Sequence, residues 1–108
     1  MKRSNIFAHI ELSRFVDELS RDPNQGQACL LRLHAYFNII PLNMLSKELA
    51  SEWDDICRVV SRLGPCRDAD EQIVSNAVKN TIKQLTNEEC FTIIGRVVQL
   101  QVRVATDF

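Results

Sequence analysis

The stretch "LNMLSKELASEWDDICRVVSRLG", Leu42 to Gly64, decides how the chain is read: as one amphipathic helix or as two short helices meeting at a turn. Leu42, Leu45, Leu49, Trp53, Ile56, Val60 and Leu63 follow one another at spacings of 3, 4, 4, 3, 4 and 3. Those spacings keep all seven side chains on one stripe of a helix with 3.6 residues per turn. A sharp turn near residue 50 would start a second helix with a new rotation and break that phase. No Gly or Pro lies between Pro41 and Gly64. The pattern therefore predicts one unbroken helix from Pro41 to Leu63.

The competing reading at 42-63 is a helix-turn-helix. Leu45, Leu49 and Ile56 sit where such a motif packs its helices together, Ala50 takes the turn position, and Arg58 stands where a basic residue is common. Two features oppose it. Ser51 occupies a place that should be apolar and buried in the turn. Glu52, Asp54 and Asp55 open the second helix, where N-terminal residues should approach base edges and phosphates. The expectation is a single helix, with DNA binding as the alternative function.

Capping signals divide the rest of the chain. Ser4 marks the start of a first helix running to about Arg21. Asp22-Pro23, with Gln25 completing a capping box, starts a second helix that runs to about Asn38. "GPCRD" ends the Leu42–Leu63 helix. Asp68 with Glu71, and Thr86 with Glu89, repeat the capping spacing before a fourth and a fifth helix. The last segment, "CFTIIGRVVQLQVRVATDF", alternates apolar and polar residues from Val98 to Val104, as a strand would. On a helical wheel its apolar residues instead fill an arc of roughly 200°, with Gln101 the one polar residue inside it. The Thr86–Glu89 cap and the lack of an obvious partner strand favour the helix. The expected fold is all-α: a compact bundle of about five helices with short connections, residues 1-108 forming a single domain.

Composition narrows function more than it identifies it. With 108 residues, 45% of them hydrophobic and 25% charged, the chain matches an ordinary globular domain. Thirteen basic residues oppose fourteen acidic ones, so no net field recruits nucleic acid or an anionic membrane. The start has a Lys2-Arg3 pair but lacks the apolar run of a signal peptide, and no span suits a membrane helix. Cys29, Cys57, Cys66 and Cys90 lack Cys-x-x-Cys spacing, and His9 and His34 lack partners at metal-ligand spacing. Reduced thiols in a cytoplasmic protein are expected, with no metal, no cofactor and no catalytic residues.

Apolar surface beyond the needs of a small bundle is the one suggestive feature. Ile6 and Ile10 fall away from the stripe of Ala8, Leu12, Phe15, Val16 and Leu19. Leu31, Ala35 and Ile39 form a second apolar side of helix two. These residues, with Gln101, are the candidate partner-binding positions: Ile6, Ile10, Leu31, Ile39 and Gln101. They point to a non-enzymatic interaction module that takes another protein or its own copy against an apolar helical face.

Overall fold

The structure, a computed structural model, describes residues 4–21 and 24–107. Among them the chain forms six α-helices and one small hairpin. The helices are α1 (Ser4–Leu19), α2 (Gly26–Arg32), α3 (Tyr36–Ile39), α4 (Lys47–Ser61), α5 (Ala77–Lys83) and α6 (Asn87–Asp107). A 3-10 turn at Leu42–Met44 precedes α4, and strands β1 (Cys66–Arg67) and β2 (Ile73–Ser75) separate α4 from α5. The all-α bundle is as expected. The Asp22–Pro23 helix start and the side chain of the expected Ser4 cap lie outside what the structure describes.

The decisive segment is continuous where it matters. α4 runs without interruption through Ala50 and Ser51, so no turn separates two helices there. Its beginning is later than expected, because Leu45 is extended and Ser46 takes the N-cap position. Leu45, Leu49, Trp53, Ile56 and Val60 are buried, while Leu42 and Leu63, at the two ends of the stripe, are exposed. Trp53 reaches back across the break, its indole Nε1 donating to the Ile40 carbonyl at 3.0 Å. That bond satisfies a buried donor and fixes the approach to α4.

Two other expectations are corrected. The second helix, expected to about Asn38, divides at residues 33–35. The His34 ring Nδ1 lies 2.9 Å from the Leu31 carbonyl. Tyr36, Phe37 and Asn38 then donate to carbonyls three residues back, the tighter pattern of a 3-10 turn. The change of direction serves the core: Tyr36 stacks on Phe15 at 4.7 Å, and Phe37 meets both Phe15 and Trp53.

The Asp68–Glu71 pair does not start a helix. Cys66 pairs with Ser75 and Arg67 with Ile73 in an antiparallel hairpin. Asp68 Oδ1 accepts from the backbone N–H groups of Asp70 and Gln72, and Glu71 adopts a positive φ of 62°. The aspartate holds a turn rather than a helix end. α5 is capped instead by Asn76, whose Oδ1 accepts from Lys79 N–H at 2.9 Å.

α6 begins as its spacing requires. Glu89 N–H donates to Thr86 Oγ1 at 3.1 Å, and Thr86 N–H donates to Glu89 Oε1 at 3.0 Å. The segment from Val98 to Val104 is helical throughout. Cys90, Ile93, Val97, Leu100 and Val104 enter the core beside Leu12, Phe15, Leu30 and Ile56. Gln27 locks the corner before α6: its side-chain amide donates to the carbonyls of Ile82 and Leu85, and its backbone N–H to Asn87 Oδ1.

Candidate functional site: an apolar outer face on α6

α6 packs against α1 on one side and α4 on the other. On the α4 side Arg96 donates to Glu52 Oε1 at 3.0 Å and to Asp55 Oδ2 at 2.7 Å. Those carboxylates hold the guanidinium above its ordinary pKa, its hydrogen bond to Asp55 contributing most. On the α1 side Gln101 Nε2 donates to Ser13 Oγ at 3.3 Å. Gln101 thus marks the seam between α1 and α6. Phe91, near the other end of α6, lies against Gly26 at the start of α2, where a Cβ would come within 3.2 Å of the ring.

Rotation away from this seam places further residues on the outside of the bundle. Phe91, Ile94, Val98, Val102 and Ala105 follow at spacings of 3, 4, 4 and 3, a second helical stripe beside the buried one, with Ile94 still packed partly against the core. Val102 is 56% exposed and Phe91 40%, while Ile94 and Val98 are half-buried. No charge interrupts this stripe. Between Glu89 and Arg103 the one charged residue is Arg96, which is occupied with α4. Gly95 lies on the same outer side, and a Cβ added there would meet nothing within 4 Å. Glycine inside a helix costs about 0.5–1 kcal/mol relative to alanine, and no contact within the chain requires it here.

Ile6 and Ile10 extend this surface from α1. They are 40% and 44% exposed and lie on the same side of α1 as Ser13, opposite its buried stripe. Of the expected partner-binding residues, Gln101 is bonded to Ser13 in the α1–α6 seam, and Ile6 and Ile10 are exposed on α1. Leu31 and Ile39 are placed elsewhere. Leu31 is partly buried against the core, so it is not an open contact surface. Ile39 is 42% exposed on α3, away from the α1–α6 seam. Val102 is exposed although it is not among the expected site residues, and the width of the α6 apolar arc is its signal.

Elsewhere the chemistry is restrained. Cys29 and Cys90 are buried, and Cys57 and Cys66 are half-buried. Burial, with the charge of Asp54 adding to it, pushes the Cys57 thiol up to about 12, which keeps it protonated and poorly nucleophilic. Cys57 lines a cleft of about 270 Å³ with Phe37, Ile40, Pro41, Leu42 and Trp53, where Asn38 and Asp54 are the other polar groups. Among the described residues no three His, Cys, Asp or Glu side chains gather as a metal site. Nor is any helix among them long and apolar enough to cross a membrane.

Fold and surface together define a small helical bundle with Phe91 and Val102 exposed on its last helix. Neither a known protein family, nor a curated protein, nor a solved structure matches the chain.

Proposed function

We propose that the chain is a small non-enzymatic interaction module of the adaptor, chaperone, antitoxin or inhibitor type. It acts in the cytoplasm by presenting the outer face of α6, flanked by Ile6 and Ile10 of α1, to another polypeptide. The single observation that carries this reading is the second apolar stripe of α6, uncharged and open at Val102. An isolated exposed hydrophobic residue is ordinary, whereas a contiguous stripe on two adjoining helices marks a contact surface.

The experiment compares the intact chain with Val102→Glu as bait, followed by reconstitution of any complex from purified components. A one-to-one or higher complex that the charge abolishes supports the reading. A complex indifferent to charge at residue 102 contradicts it, since a buried unpaired carboxylate is costly at an apolar contact.

The alternative, a regulator that binds DNA through 42-63, draws less support. α4 has no turn at Ser51, and Arg58 pairs with Asp54 at 3.0 Å on its own helix. Its test is a mobility shift of a DNA duplex with steep salt dependence, weakened by Arg58→Ala.

A further inference from the structure

We draw no further inference here: the strongest candidate, the exposed surface patch of Phe91 and Val102 on α6, belongs to the interaction face already described, and nothing in the structure shows what covers it.

Discussion

α4 and α6 lie side by side and bury similar stripes, but their outer faces differ. α4 sends Leu49, Trp53, Ile56 and Val60 inward and turns charges outward, among them Asp54 paired with Arg58 and the exposed Glu48 and Asp55. α6 sends Cys90, Ile93, Val97, Leu100 and Val104 inward, yet leaves Phe91 and Val102 exposed as well. The inner stripes follow from folding, since both helices must bury a side to join the core. The outer faces do not, and here the two helices part. A charged back, as on α4, suffices for solubility, and the exposed Phe91 and Val102 of α6 are what the proposed interaction rests on.

Substitutions on the two faces sharpen that contrast. The largest loss should come from Trp53→Ala, about 3–5 kcal/mol in denaturant unfolding, because a fully buried ring disappears together with its bond to Ile40. Leu100→Ala, on the inner face of α6, should cost about 2–5 kcal/mol in the same measurement. Thr86→Ala removes the cap at the start of α6 and should cost about 1 kcal/mol. Val102→Glu should change the unfolding free energy of the dilute monomer by less than about 0.5 kcal/mol, as for a surface position. A large loss there would move Val102 from the contact surface into the core and erase the difference between the faces.

A smaller effect concerns acid. The Thr86 backbone N–H, helped by the Thr86 side chain, holds the Glu89 carboxyl below its ordinary value. A lowered folded pKa adds stability that is fully present above the unfolded value and disappears as pH falls through the folded one. Glu89→Gln should therefore flatten the stability profile below the ordinary carboxylate pKa of 4.5 and leave it unchanged in slope near neutrality. Thermal unfolding across that acid range checks it.

How much of this was legible in the sequence depends on what each pattern has behind it. Thr86–Glu89 and Asp68–Glu71 have the same spacing, yet only the first caps a helix. After Glu89 come Cys90, Ile93, Val97 and Leu100, a buried helical period that rewards the cap. After Glu71 comes Ile73, 57% exposed on a strand, so Asp68 bonds its own turn instead. Local capping chemistry is permissive, and tertiary burial selects. The break at residues 33–35 was hidden for a related reason: Tyr36 and Phe37 both enter aromatic contacts that one straight helix would not bring to the same side.

The site was partly legible. Ile6 and Ile10 stood off the α1 stripe, and Gln101 stood out inside an apolar arc. Leu31 misled because the turn after α2 folds its side against the core. Gly95 carried no signal until the space around it was known, since a helical glycine looks the same whether it is crowded or open.

Co-purification with the wild-type chain and with Val102→Glu, at equal concentration, tests the central claim most directly. The account expects the wild type to hold a partner polypeptide, another protein or its own copy, that the variant loses. A variant that holds it equally well, or a wild-type chain that associates with nothing, would contradict it.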